Sequence, residues 1–233
     1  MKDYFWSDHF AEQAIAQVEI LIEVLDQRLL PAFEDISEEA DRHAEDVYQH
    51  LGSMSMGSDV LDMADAAEVA RDEGIERYEA LTDIRQAILN ALTVALYHLI
   101  EQQLLLFLRR HVLHPREEND PKLWSMSTLI DRMRSAGIDL TTLTHWDTLQ
   151  ELRLAANTIK HADGKSADEL HALRPELFVE PTLRSTTTPR PYQRRRVYAP
   201  MAGDDLFISR DDLRAFAEKS IGFLRALSTA LRP

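Results

Sequence analysis

Arg153, Asn157, Lys160 and His161 are the residues of this chain whose types and spacing could do chemistry together. On a helix that turns about 100° per residue they share one arc of about 100°, while Leu152, Ala155, Ala156 and Ile159 occupy another. The polar arc can hold phosphate through Arg and Lys, orient a ligand through Asn and move a proton through His. Gly164 offers a left-handed C-cap, which would put His161 in the last turn, where the helix dipole favours a cationic imidazole. The plainer reading of the same residues is a solvated helix end whose Lys and His act as caps.

The elements that must position this arc are predicted to be helices. Seven Gly and nine Pro in 233 residues are too few for a fold of many short strands and turns. Ala14, Val18, Leu21, Leu25 and Leu29 recur at helical spacing and predict a first helix over Phe10 to Leu30, ending near Pro31. A more polar helix follows over Glu34 to His50, then a Met- and Ser-rich loop over Gly52 to Ser58, then a short exposed helix over Asp59 to Glu76. Ala80 to Val112 carries the strongest pattern and should form a central hairpin with the first helix. Asp120-Pro121 reads as the start of a helix that stops around Gly137, and Thr144 to Lys160 carries the polar arc. Ser166 with Glu169, and Ser209 with Asp212, have capping-box spacing, the second pair heading an amphipathic helix over Asp211 to Leu231. The expected fold is all-α: acidic helices in 1–79 packing on a helical core in 80–233, one compact domain overall. A long basic loop at 179–205, with four Pro, leaves room for a short β-hairpin.

Charge divides the chain. Residues 1–80 hold 21 acidic and 5 basic side chains, and residues 81–233 hold 19 and 21. Contact with nucleic acid must therefore come from the later part. There is no acid from Thr182 to Pro200, where Arg184, Arg190, Arg194, Arg195 and Arg196 interleave with Tyr192 and Tyr198. Charge with stacking rings suits single-stranded RNA; a solvated loop, or one paired with acidic helices, is the competing reading.

With no Cys, the chain has no disulfide, thiolate metal site or cysteine nucleophile. The N-terminus lacks the basic-then-apolar order of a signal peptide, so a cytoplasmic protein is expected. Asn90, His98, Glu101, Gln102 and Gln103 interrupt the apolar stretch Ala87 to Leu108, which reads as a buried helix, not a membrane span. His111 and His114, with Glu117 or Glu118 nearby, could share a metal, though exposed and unligated is the commoner state of such a pair. His98 and Glu101, one turn apart, read as a mutually satisfied buried pair, with Glu101 able to orient His161 if the helices face each other.

Asn157-Thr158-Ile159-Lys160-His161 resembles the Asn-x-x-x-His half of the Arg-Asn-x-x-x-His signature of HEPN-type proteins. Ala162-Asp163-Gly164-Lys165-Ser166-Ala167 and Arg174-Pro175-Glu176-Leu177-Phe178 are similar to segments of a bacterial HEPN-like subgroup. The resemblance extends in architecture over residues 80–231. It implies a helical bundle, often dimeric, and in many members a metal-independent ribonuclease of toxin–antitoxin, abortive-infection or CRISPR-linked defence. Ala156 stands where the family has its Arg, and Arg153, one turn back on the same stripe, is the favoured substitute because its planar fork binds two phosphate oxygens. The implied catalytic set is His161, Asn157, Arg153 and Lys160, with Arg190, Tyr192, Arg194, Arg195 and Arg196 as RNA contacts. No cofactor or metal is required, since RNA brings its own 2′-hydroxyl nucleophile. The implied partners are RNA, a second copy of the chain, and a cognate antitoxin or defence protein. The alternative from a different class is a non-catalytic module that dimerises or binds nucleotide, or a regulator whose acidic N-terminal third occupies a partner's basic groove.

Overall fold

A computed structural model describes residues 4–54, 63–114, 116–117, 120, 125–184 and 196–232. It contains α1 (Tyr4–Val24), α2 (Ile36–Met54), α3 (Met63–Phe107), α4 (Met126–Ser135), α5 (Trp146–His161), α6 (Lys165–Leu173) and α7 (Arg210–Ala230), joined by short π- and 3₁₀-helical turns. No strand occurs among the described residues. The all-α expectation holds, and the hairpin allowed within 179–205 does not appear among its described residues. Residues 185–195, which include Arg190, Tyr192, Arg194 and Arg195, lie outside them.

The core is a bundle of α1, the second half of α3, α5 and α7. Ala14, Val18 and Leu25 of α1 meet Leu96, Ile100 and Leu104 of α3, with Leu149, Leu152 and Ile159 of α5 and Phe216, Phe223 and Leu227 of α7. Their near-complete burial is what their helical spacing demands: stripes this wide are stable only against one another. By length and composition α3 could cross a membrane. Leu96 and Ile100 of this helix are fully buried against the other helices of the bundle.

Several boundaries differ from the sequence reading. The two helices expected over Asp59 to Glu76 and Ala80 to Val112 are one helix of 45 residues, continued by a π turn at Leu108–Val112. Gly74 does not break it, because α2 lies so close that a Cβ there would sit 2.9 Å from the Ala44 Cβ. Small residues let α2 and the first half of α3 approach as an antiparallel pair, with Arg77 Nε donating to Glu39 Oε1 at 3.1 Å. α4 opens at Ser125, whose hydroxyl accepts the Thr128 N–H; Pro121, at the expected helix start, lies outside the described residues. α6 begins at Lys165, placing Ser166 inside the helix, so its box with Glu169 does not form. The Ser209–Asp212 box does form.

Segment 200–208 is pinned to α3 by one buried and one half-buried amide. Asn90 Nδ2 donates to the carbonyls of Pro200 (2.6 Å) and Leu206 (2.8 Å), and Gln86 Nε2 donates to Ile208 O (2.9 Å) and Asn90 Oδ1 (3.0 Å). Gly203, at φ 105°, lies where a Cβ would be 2.4 Å from the Asp83 carbonyl oxygen, so only glycine fits this close crossing.

Candidate functional site on the α3 and α5 faces

α5 is set by both of its ends. Its N-cap His145 takes a left-handed conformation (φ 66°) and packs so tightly on α7 that a Cβ at Gly222 would lie 2.5 Å from the His145 ring. At the other end Ala162, not Gly164, is the positive-φ cap (φ 59°), and its N–H bonds to Thr158 O at 2.9 Å. Gly164, at φ 157° and ψ −169°, serves instead as the N-cap of α6. His161 is the last residue of the helix, in its last turn as the sequence predicts, and just beyond it the Asp163 N–H bonds to Val197 O (3.1 Å).

Between these ends, Leu152, Leu154, Ala155, Ala156, Thr158 and Ile159 are buried, and Lys160 and His161 are exposed. Arg153 and Asn157 are half-buried at the margin. Arg153 Nε donates to Gln150 Oε1 at 3.0 Å. Ala156, in the family's Arg position, is 0% exposed in the core. An arginine there could not reach the surface stripe without displacing core packing.

Across from this stripe lies a polar line on α3. The Tyr97 hydroxyl donates to Glu101 Oε1 (3.0 Å), Glu101 Oε2 meets His98 Nδ1 (2.9 Å), and His98 Nε2 meets Lys160 Nζ (3.1 Å). Glu101 therefore orients His98, not His161; no hydrogen bond of the His161 ring occurs among the described residues. Burial, reinforced by the charge and hydrogen bond of Glu101, holds the Tyr97 phenol well above its ordinary pKa, with Arg153 close enough to pull the other way. Tyr97 thus stays a donor. The sequence reading paired His98 with Glu101 but missed Tyr97, Gln150 and the reach to Lys160. The signal for Tyr97 was its i,i+4 spacing to Glu101 in an otherwise apolar helix.

Arg196 is exposed, and its neighbour Val197 is bonded to Asp163, so the end of the basic run emerges beside the end of α5. Arg184, at the start of that run, points inward: its Nη2 donates to Phe207 O (2.7 Å) and its Nε to Val179 O (3.1 Å). Arg174, in the second resembling segment, is a brace between elements. Its guanidinium pairs with Glu151 of α5 (2.5 Å), Asp212 of α7 (2.6 Å) and Glu176.

His111 stacks on Phe107 with ring centroids 5.1 Å apart, and His114 Nδ1 accepts the Arg116 N–H (3.2 Å). No group of three or more potential metal-binding side chains occurs among the described residues. Neither the open groove between α1 and α7 nor that between α1 and α3 is lined by His98 or the α5 stripe. Compared with protein-family models, curated proteins and solved structures, the chain finds no match.

Proposed function

We propose that the chain is an HEPN-like, metal-independent endoribonuclease that acts as a dimer in a bacterial toxin–antitoxin or phage-defence setting. The observation that carries this reading is the gathering of Arg153, Asn157, Lys160 and His161 on one face of α5, joined by His98 and Glu101 of α3, with the basic run ending alongside at Arg196. Arg153 and Lys160 hold the phosphate, Asn157 orients the ribose, and His161 moves a proton at the helix end. Arg190, Tyr192, Arg194, Arg195 and Arg196 add affinity along the strand by charge and stacking.

The test is incubation of purified protein with single-stranded RNA in the presence of EDTA. Products ending in 2′,3′-cyclic phosphate support the reading; intact RNA opposes it. Alanine at Arg194, Arg195 and Arg196 should weaken binding and flatten its salt dependence, since fewer counterions are released. Light scattering that gives a monomer with and without RNA would remove the dimer from the proposal. The second reading, a non-catalytic dimerisation or nucleotide-binding module, is favoured by the buried Ala156 in place of the family Arg. It predicts RNA or nucleotide binding without cleavage.

A further inference from the structure

We infer that the proton acceptor of this surface is His98, presented by Glu101, and that Lys160 covers it until a phosphodiester draws the ammonium away. The inference rests on the RNA-cleaving reading and deepens it.

A general base needs an unprotonated nitrogen aimed at its substrate and a partner that fixes the ring. His161 has no ring partner among the described residues, whereas His98 has one. A carboxylate can only accept, so the Glu101 contact at 2.9 Å places the proton of neutral His98 on Nδ1 and leaves the lone pair on Nε2. Tyr97 holds the other Glu101 oxygen at 3.0 Å, which fixes the carboxylate as well. The lone pair points at the α5 stripe, where Lys160 Nζ donates to it at 3.1 Å. The His98 side chain is 32% exposed and that of Glu101 22%, so the imidazole can meet a substrate while its partner stays shielded. Among the described residues the imidazole is bonded to Glu101 on its own helix and to Lys160 on α5, with Arg153 near Tyr97.

A lysine is a mobile point charge on a flexible stem, and a phosphate oxygen is a stronger acceptor for it than a neutral imidazole. When the phosphodiester takes Lys160, Nε2 is freed beside the ribose. It then accepts the 2′-hydroxyl proton as O2′ bonds to phosphorus; the P–O5′ bond breaks, and the 5′-oxygen leaves with a proton from the His161 imidazolium. The products are a 2′,3′-cyclic phosphate and a 5′-hydroxyl. Exchange with water returns both histidines to their starting states, so no oxidant, metal or cofactor enters the balance.

The test compares wild type, His98→Gln, Glu101→Gln and His161→Gln on single-stranded RNA with EDTA. Binding is measured separately on the 2′-O-methyl form of the same RNA, and imidazole ¹⁵N NMR follows His98. The expected result is that His98→Gln loses at least about 100-fold in kcat with binding little changed. Glu101→Gln should lower kcat with KM little changed, because the ring loses the acceptor that keeps its proton on Nδ1 and its lone pair on Nε2; a merely structural Glu101 would leave kcat and the Nε2 resonance in place. The free protein should show an unprotonated Nε2, whose resonance shifts as the 2′-O-methyl RNA withdraws Lys160. If His98→Gln does not fold, the wild-type resonance decides. Wild-type-like cleavage by His98→Gln with an inactive His161→Gln overturns the inference and leaves the ribonuclease reading standing. No wild-type cleavage, with a shifted Nε2, overturns the acid–base role and retains RNA binding. No cleavage and an unmoved Nε2 overturn both.

Discussion

Replacing Arg174 by alanine removes one guanidinium from among three carboxylates on three elements: Glu151 of α5, Glu176 of the 3₁₀ turn Pro175–Phe178, and Asp212 of α7. The three partners do not contribute equally. Glu176 is 46% exposed, so water replaces the cation there at little cost. Glu151 (21%) and Asp212 (15%) are more shielded, and each would face the other's charge without a counterion. Breaking a fully buried pair costs about 3–5 kcal/mol, and the residual exposure here lowers that to about 2–3 kcal/mol. For a chain of this length that corresponds to a fall of about 4–12 °C in Tm. Asp212 sharpens the test. Burial raises its pKa, but hydrogen bonds from the Ser209 hydroxyl and amide and from Arg174 more than compensate and hold it below the ordinary carboxylate value. A carboxyl lowered in the folded state contributes stability above its unfolded pKa and loses it as pH falls through the folded value. The difference in stability between wild type and Arg174→Ala should therefore be largest at neutral pH and shrink on acidification below about pH 4. Urea unfolding of both proteins at several pH values measures this, with Glu176→Gln as the mild control, expected to cost under about 1 kcal/mol. Equal midpoints for wild type and Arg174→Ala at pH 7 would refute the brace.

Gly203→Ala should destabilise the protein by about 3 kcal/mol in urea unfolding, since it adds left-handed strain to a 2.4 Å clash with the Asp83 carbonyl. Asn90→Ala should cost about 2–3 kcal/mol, because the buried carbonyls of Pro200 and Leu206 lose their donor. Hydrogen exchange should then rise in residues 204–208 before it rises in α7. Asp139 is held down to about 2 by Arg134 and by the Thr141 hydroxyl and amide. Its contribution is present above the ordinary value of 3.8 and lost as pH falls through about 2. NMR titration should find that value, and Arg134→Ala should move it back towards the ordinary carboxylate range.

What was legible in the residues is whatever follows from local periodicity. The stripes of α1, α3, α5 and α7 identify the bundle, because a helix with one wide apolar face has no stable solvated state. The same count placed Arg153, Asn157, Lys160 and His161 on one arc and Ala156 on the other, and the structure buries Ala156 completely. The Ser209–Asp212 box was legible too, since a capping box is satisfied within one turn. Only tertiary structure decided the rest. Ala162 became the cap in place of Gly164 because Val197, distant in sequence, claims the Asp163 amide. Gly74 kept α3 continuous because a neighbouring helix needed the space that its missing side chain leaves. His98 acquired a partner 62 residues away in Lys160. A period describes which face of a helix a residue occupies and carries no information about which other helix will stand opposite, so the contact that assembles the candidate site exists only once the bundle has closed.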